Sequence, residues 1–199
     1  ERFVAIHRGR NFKTPWYGAV LHTQTKSCLE EKRLEIQIEN NQYTFRMKNP
    51  IYPCLWFDGQ AKEAATLYAS VFSGTKIEAD SPMVVTMDSG GQKFMLLNGG
   101  PQFKPNPSIS FYVVCETKEE VDTAWNKLTD GGQVLMPLDQ YDWSERYGWV
   151  QDKFGVNWQL SFGKLASTGQ KFSPTLMFTG AQHGNAEKAI NFYTSVFSP

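Results

Sequence analysis

An internal repeat constrains the fold of this chain more than any other feature. A segment that begins at Pro53 recurs from Pro174, and after a four-residue insertion its helical part recurs as well. The identical positions are Pro53, Leu55, Phe57, Gly59, Ala61, Ala64, Tyr68, Ser70, Val71, Phe72 and Ser73, matched in order by Pro174, Leu176, Phe178, Gly180, Ala186, Ala189, Tyr193, Ser195, Val196, Phe197 and Ser198. Such a density of identities indicates a chain built from repeated supersecondary units.

The repeated segment predicts a strand, a glycine-containing loop and a helix. After the strand, the apolar positions 61, 64, 65, 68, 71 and 72 have the 3.6-residue period of a helix with one buried face. Two short β-rich runs follow, Met83–Met87 and Gln92–Leu97, joined by the turn residues 88–91. With Lys76–Glu78 as a candidate additional strand, this order predicts a β-α-β-β-β unit.

The same order of elements returns further along the chain. Ser108–Cys115 is predicted as a strand, and Thr117 with Glu120 forms a capping box that begins a helix. Val134–Pro137 and Trp149–Phe162 supply the remaining strands. We therefore predict an α+β fold of tandem β-α-β-β-β units.

The repeat divides the chain into three parts. Residues 47–165 form one complete module of two units, and residues 166–199 contain a linker and the truncated start of a second module, so we expect the C-terminus to be cut. Residues 1–46 show no trace of the repeat, and their strands 33–39 and 42–46 predict a hairpin around Asn40 and Asn41. Met47 is a candidate natural start, which would make residues 1–46 a piece of different origin.

Charge and hydropathy exclude two classes of partner. Twenty Lys and Arg balance twenty Asp and Glu, which removes the electrostatic case for binding nucleic acid or an anionic membrane. The longest apolar runs, such as Phe111–Cys115 and Phe94–Leu97, are far shorter than the roughly 20 residues that a membrane-spanning helix needs. We expect a globular protein with no membrane and no nucleic-acid partner.

The cysteines indicate a reducing compartment. Cys28, Cys54 and Cys115 are an odd and sparse set without a Cys-x-x-Cys spacing. We interpret all three as buried thiols, and we find neither a Gly-x-Ser-x-Gly elbow nor a Cys–His pair in the module.

Three runs of residues resemble the PhnB-like family of the vicinal oxygen chelate superfamily, which includes glyoxalase, bleomycin-resistance and extradiol-dioxygenase relatives. They are PCLWFDGQAKEAA at 53–65 with Tyr68 and Phe72, NGGP at 98–101, and YGWVQDKFGVNWQ at 147–159. The resemblance covers residues 47–164 and part of a second module in 172–199. It implies paired units that form an open, cupped mixed sheet around a pocket, completed by a second module or by a homodimer partner, in a cytoplasmic bacterial protein.

Metal-dependent members of that superfamily hold a divalent ion with side chains from the first and last strands of each unit. Alignment of the strands and turns places Tyr52, Met95, Ser108 and Gln159 at those positions. This set lacks the carboxylates and imidazoles that such ions prefer, and residues 47–164 contain no histidine. A site formed by Asp58, Glu116 and Asp152 is the less favoured alternative. We predict no tightly bound metal and no other cofactor.

Side chains on the predicted strands are the candidates for lining the pocket. In addition to the four mapped positions, they are Trp56, Phe111, Arg146, Tyr147 and Trp149. Any one aromatic among them can instead belong to the core, because alternate residues of a strand face opposite sides. The acidic segment 139–145, with Trp143, is a candidate lid, and Arg146 and Tyr147 beside it are the best candidates for orienting a ligand. His183, in the insertion of the second module, is interpreted as an exposed loop residue.

These features favour a protein that binds a small organic molecule in a cupped pocket without a tightly bound metal. A metal-dependent isomerase, lyase or dioxygenase is the first alternative, and a module that sequesters its ligand without turnover is the second. The name 3-demethylubiquinone 3-methyltransferase, carried by many such proteins, has weak physical support. Binding of S-adenosylmethionine usually needs a glycine-rich turn between a strand and a helix, and the glycine pairs at 90–91, 99–100 and 131–132 lie elsewhere.

Overall fold

The structure is a computed structural model that describes residues 51–197 in full and the backbone of residues 4–5, 34–39 and 42–47. The chain divides into two compact units, one formed by residues 1–9 with 53–199 and the other by residues 10–52. The larger unit includes the short strand β1 (Val4–Ala5). None of the helices within residues 51–197 combines the length and the apolar composition needed to cross a bilayer.

The smaller unit contains the predicted hairpin. Strands β2 (Leu34–Glu39) and β3 (Gln42–Met47) pair antiparallel, with Glu39 opposite Gln42 at one end and Leu34 opposite Met47 at the other. The predicted hairpin is therefore confirmed to within one residue at its outer ends. The proposed division at residue 46 and the proposed start at Met47 stay predictions.

The first β-α-β-β-β unit lies in the larger part of the chain. It consists of β4 (Cys54–Phe57), α1 (Ala61–Val71), β5 (Lys76–Asp80), β6 (Val84–Ser89) and β7 (Gln92–Asn98). Its strands are ordered β4-β7-β6-β5, and β4 runs parallel to β7 because α1 connects β4 to the far edge strand β5, after which β6 and β7 each return antiparallel. The candidate strand at 76–78 is confirmed and is longer than predicted.

The second unit repeats this topology. It consists of β8 (Ile109–Cys115), α2 (Lys118–Thr129), β9 (Gln133–Tyr141), β10 (Ser144–Gln151) and β11 (Asn157–Phe162). The strand order is β8-β11-β10-β9, with β8 parallel to β11. The predicted α+β fold of tandem units is thus confirmed, as is the capping box, since the Thr117 side chain accepts a hydrogen bond from the Glu120 N–H at 3.1 Å.

The segment that repeats the sequence of residues 53–73 near the end of the chain extends the second sheet. After the short helix α3 (Leu165–Thr168), strand β12 (Phe172–Leu176) pairs antiparallel with β8, and β1 pairs with β12. Helix α4 (Ala186–Phe197) follows. The second sheet therefore has the order β1-β12-β8-β11-β10-β9.

The core lies where α1 meets strands of both sheets. Helix α1 buries Ala61, Ala64, Ala65, Tyr68 and Val71, the face that its periodicity predicts. Tyr68 and Phe72 contact the Trp158 ring of β11, each with ring centroids 5.0 Å apart, and Phe72 also packs edge-on against Phe172 of β12. The helix of the first β-α-β-β-β unit thus packs against aromatic side chains of the second sheet, and this contact joins the two β-α-β-β-β units.

A buried carboxylate reinforces this junction. Asp152, in the turn between β10 and β11, accepts hydrogen bonds from the Tyr68 hydroxyl at 2.8 Å and from the Trp158 indole N–H at 2.9 Å. Its other oxygen accepts from the backbone N–H groups of Phe154 and Val156. Burial raises the pKa of Asp152, and these four hydrogen bonds oppose the increase.

Helix α4 repeats the sequence of α1 but not its burial. Tyr193, the counterpart of the fully buried Tyr68, is 37% exposed, and Val196 and Phe197 are about half exposed. The insertion before α4 places His183 in an exposed turn, as predicted. The apolar face of α4 therefore has no counterpart of the Asp152 turn among residues 51–197.

Two local predictions were wrong. The segment 139–145 is not an irregular loop, because β9 continues to Tyr141 and β10 begins at Ser144, so the segment forms a strand hairpin with Trp143 at its tip; its role as a lid stays a prediction. Tyr141 stacks on Trp143 with ring centroids 4.9 Å apart, which stabilises the hairpin. Strand β8 begins at Ile109 and leaves Ser108 outside, where its hydroxyl bonds to the Asn106 side chain.

The repeat offers a matched test of the Asp152 network. Tyr68→Phe removes one hydrogen bond to a buried carboxylate, so we expect a loss of about 1.5–3 kcal/mol in the free energy of unfolding at neutral pH. Tyr193→Phe removes the same hydroxyl from the exposed counterpart and should change stability by less than about 0.5 kcal/mol. Urea unfolding of both variants measures the difference, and equal losses would contradict this role of Asp152.

The pH dependence of stability provides a second readout. The pKa of Asp152 is raised on folding. The contribution of this carboxyl group to the free energy of unfolding is therefore greatest at a pH below its pKa in the unfolded chain, and it is lost as the pH rises through its pKa in the folded protein. The hydrogen bond from Tyr68 lowers the pKa of Asp152 in the folded protein, so removal of the Tyr68 hydroxyl should raise that pKa further. We therefore expect the destabilisation by Tyr68→Phe to be larger at neutral pH than at about pH 4.

Candidate functional site

A small cavity lies between the first strands of the two units, β4 and β8. It has a volume of about 190 Å³. Its lining residues are mostly apolar or aromatic: Cys54, Leu55, Trp56, Phe103, Lys104, Pro105, Asn106, Ile109, Phe111, Val156 and Asn157. Asn157 adds a polar group, whose Nδ2 donates to the Gly155 carbonyl at 3.1 Å while its buried Oδ1 accepts no hydrogen bond from the described residues.

A larger and more polar cavity of about 480 Å³ shares one wall with the small cavity. The shared wall consists of Trp56, Phe103, Lys104 and Pro105. The other lining residues are Phe57, Asp58, Gln60, Pro101, Gly131, Gly132, Gln133, Gln151, Asp152, Lys153, Phe154 and Gly155. The turn that Asp152 holds thus forms part of the large cavity.

Trp56 is fixed in the shared wall by three contacts. Its indole N–H donates to the Gly100 carbonyl at 2.8 Å, and Phe103 packs edge-on against the ring with centroids 5.1 Å apart. Gly99 lies directly against the indole, since a Cβ at that position would come within 2.2 Å of the ring. Only glycine at position 99 therefore permits this position of the tryptophan.

A chain of buried side-chain hydrogen bonds runs across the second sheet. The Tyr147 hydroxyl donates to Gln159 Oε1 at 2.6 Å, and Gln159 Nε2 donates to the Ser110 hydroxyl at 2.7 Å. All three residues are at least 97% buried. Burial raises the pKa of Tyr147, so this phenol stays protonated and acts as a hydrogen-bond donor at neutral pH.

The structure brings together some of the sequence-predicted site residues. Tyr147, Trp149 and Gln159 lie on the same face of the second sheet, with Trp149 directly opposite Gln159. Trp56 lines both cavities. Phe111 lines the small cavity from the core side, where it packs against the rings of Phe94 and Trp158.

Other predicted residues lie elsewhere or have other partners. Tyr52 belongs to the unit formed by residues 10–52, and Met95 lines neither cavity, although it is half-buried opposite Cys54. Ser108 is exposed and bonds to Asn106. The Arg146 guanidinium forms an ion pair with Asp122 at 2.7 Å, so this cation has a partner within the fold.

Sequence reasoning missed three residues: Ser110 of the hydrogen-bond chain, and Phe103 and Asn157 of the small cavity. Ser110, two positions after the predicted Ser108, is the first-strand residue that contacts Gln159. Alternation along β8 carries the signal, because Ser110 and Tyr112 interrupt an otherwise apolar run. Phe103 had no such signal because it lies in the loop between β7 and β8, and Asn157 is the first residue of β11, a strand end that periodicity does not define.

The cysteines are only partly as expected. Cys115 is buried, and burial with the nearby Glu120 carboxylate raises its pKa to about 12, which makes it an unreactive thiol. Cys54 is exposed and lines the small cavity, so its interpretation as a buried thiol was wrong. Cys28 lies outside the described residues.

The side chains at the mapped metal positions do not fit a divalent ion. Gln159 has both amide atoms engaged by Tyr147 and Ser110, and Met95 offers only a thioether. Asp152, from the alternative carboxylate set, has four hydrogen-bond donors around its two oxygens. No cluster of three His, Cys, Asp or Glu residues that could hold a metal occurs among the described residues.

Comparisons with known proteins converge on one family. A family model described as 3-demethylubiquinone-9 3-methyltransferase matches residues 49–161, which is more than half of the chain. The PhnB protein from Bacillus cereus is 36% identical with a TM-score of 0.53, and the match covers 58% of this chain and 100% of that one. No curated protein sequence matches the chain.

Two further solved structures are similar to the same region. Protein PA1353 from Pseudomonas aeruginosa is 26% identical with a TM-score of 0.50, covering 57% of this chain and 97% of that one. A glyoxalase-related enzyme from Fulvimarina pelagi is 18% identical with a TM-score of 0.47, covering 58% of this chain and 88% of that one.

The contact between Gly99 and Trp56 leads to a prediction about the shared wall. Gly99→Ala places a methyl group within the indole ring, so we expect displacement of Trp56 and a loss of about 1–3 kcal/mol in unfolding free energy. Gly163→Ala is the matched control, because its Cβ would meet only Val114 at an ordinary 3.6 Å. Urea unfolding and tryptophan fluorescence measure both effects. Equal behaviour of the two variants would contradict the proposed contact.

Proposed function

Because this chain belongs to the PhnB-like family whose model is described as 3-demethylubiquinone-9 3-methyltransferase, with the tandem β-α-β-β-β units of the glyoxalase-type fold, we propose that it binds a small organic molecule. The binding site is the small cavity between β4 and β8. Binding there does not depend on a tightly held metal.

The observation that carries this proposal is the size and lining of the small cavity. An engineered cavity of about 150 Å³ with an apolar lining is large enough to bind benzene. The cavity here, at about 190 Å³, has space for one six-membered ring with a small substituent. Leu55, Ile109, Phe111 and Val156 supply apolar walls, so the transfer of a ring from water would provide the main driving force.

The hydrogen-bond chain supports binding without a metal. Gln159 occupies the position at which a metal-dependent relative would supply a ligand, but its side-chain carbonyl oxygen already accepts a hydrogen bond from the Tyr147 hydroxyl. Recruitment of that oxygen by a cation would leave the buried Tyr147 hydroxyl without its acceptor, which is costly. The polar groups of this sheet face therefore stabilise one another.

The methyltransferase name of the family model does not follow from the site. Gly90 and Gly91 form the tight turn between β6 and β7, and Gly99 accommodates the Trp56 ring. A Cβ at Gly132 would approach the Gln151 and Leu128 carbonyl oxygens to 2.5 and 2.7 Å. Gly90 and Gly91 thus serve the turn conformation, and Gly99 and Gly132 serve close packing. Calorimetric titration with S-adenosylmethionine tests the alternative, and we expect no binding heat.

Phenol, a single ring with one hydroxyl, is a suitable probe for the small cavity. We expect ligand-observed NMR to show saturable binding to the wild-type protein. Cys54→Phe should weaken that binding at least about tenfold, because the larger side chain fills the cavity. The matched control is Thr86→Phe, on the same sheet but two strands away and not in the cavity lining. Failure of phenol to bind, or equal binding to both variants, would overturn the proposal.

Metal analysis tests the second part of the proposal. We expect elemental analysis of freshly purified protein to find zinc, nickel, iron and manganese each far below one ion per chain, because no mapped position supplies a carboxylate or imidazole. A stoichiometric ion that is lost in Gln159→Ala would contradict this expectation. It would favour instead a metal-dependent enzyme of the superfamily.

A further inference from the structure

We infer that the two cavities form a single ligand site divided by the side chain of Phe103, and that the ligand combines an apolar ring with an uncharged polar tail. The ring would occupy the small cavity and the tail the large one. This inference rests on the proposed function, since it specifies the class of molecule bound at that site.

The shared wall supports a single site. Trp56, Phe103, Lys104 and Pro105 line both cavities, so the two volumes are separated by side chains of one strand and one loop. The two volumes thus meet at these four residues. A ligand longer than a single ring must therefore pass the Trp56–Phe103 pair.

The two side chains of this pair are held very differently. Trp56 has an indole hydrogen bond to Gly100 and a close fit against Gly99, so its position is fixed. Phe103 is 58% exposed and makes its ring contact with Trp56. No backbone hydrogen bond joins residues 101–105 to the rest of the described chain. Phe103 is thus the part of the wall that can move at little cost.

The linings of the two cavities indicate the chemistry of the two ligand parts. Beyond the shared wall, the small cavity is lined mainly by apolar side chains, whereas Gln60, Gln133 and Gln151 line the large one. The charged groups of the large cavity have both signs, because Asp58 lies there with Lys104 and Lys153. Lys153 is also paired with Glu63 at 2.9 Å. This balance favours hydroxyl or amide groups over a strongly charged tail.

Phe103 is then a specificity-determining residue. With the phenyl ring in place, the small cavity accepts a single ring, and a tailed ligand must displace Phe103. Without it, the two cavities merge and a tailed ligand binds with no displacement. The relative affinity for short and long ligands should therefore depend on this side chain.

Two probes separate the alternatives: phenol, and phenyl β-D-glucoside, in which the same ring carries a neutral polar tail. We expect Phe103→Ala to shift the ratio of their dissociation constants about tenfold toward the glucoside. Phe192→Ala is the matched control, because Phe192 is similarly exposed, at 61%, on α4 and lines neither cavity. It should leave the ratio unchanged. NMR titration of the three proteins supplies the constants, and thermal unfolding confirms that the variants fold.

The wild-type protein supplies an independent readout. Phenol should shift only signals of the small cavity, such as the methyl groups of Leu55, Ile109 and Val156, whereas the glucoside should also shift the side-chain amide signals of Gln133 and Gln151. If phenol does not bind at all, the proposed function itself fails. If phenol binds but Phe103→Ala leaves the ratio unchanged, or if the glucoside never reaches the two glutamines, the proposed function stands and the single divided site is overturned.

Discussion

The buried carboxylate of Asp152 is the interaction on which the rest of the structure depends. It is 97% buried, and its desolvation is partly offset by four hydrogen bonds, two from the backbone of its own turn and two from the side chains of Tyr68 and Trp158. Because Tyr68 belongs to the first β-α-β-β-β unit and Trp158 to the second, this carboxylate links the two. The same turn forms one wall of the large cavity, so the site depends on it as well.

Helices α1 and α4 have similar sequences but differ in how far their apolar faces are buried. They share the apolar positions that define the buried face of α1, yet Tyr68 is fully buried and Tyr193 is not. The difference lies in the partners. Tyr68 has the Asp152 carboxylate and the Trp158 ring, whereas α4 has neither within residues 51–197. Periodicity therefore predicts which face of a helix is apolar, but the tertiary partner decides whether that face is buried.

The order of elements could be predicted from the sequence, whereas most of the site could not. Strand and helix periods are long-range patterns, so small errors in boundaries do not change the β-α-β-β-β order. Site residues depend on exact register, where one or two positions decide which side chain contacts Gln159. The strand alignment predicts Ser108 as the first-strand site residue, whereas Ser110 contacts Gln159; Cys54 is predicted to be a buried thiol but lines a cavity. Phe103 lies in a loop, and loop residues follow no hydrophobic periodicity from which their position could be predicted.

The two sheets use their polar and apolar residues for different purposes. On the second sheet, Tyr147, Gln159 and Ser110 satisfy one another in a fixed direction, which leaves little capacity for a cation. At the neighbouring cavities the fixed feature is the Trp56 ring, held by Gly99 and Gly100, with the exposed Phe103 against it. Recognition at such a site would come from the shape and desolvation of the ligand, with charge contributing little. The proposed metal-independent binding therefore requires two features of this fold: a hydrogen-bond network that satisfies its own polar groups, and a fixed tryptophan with an exposed phenylalanine beside it.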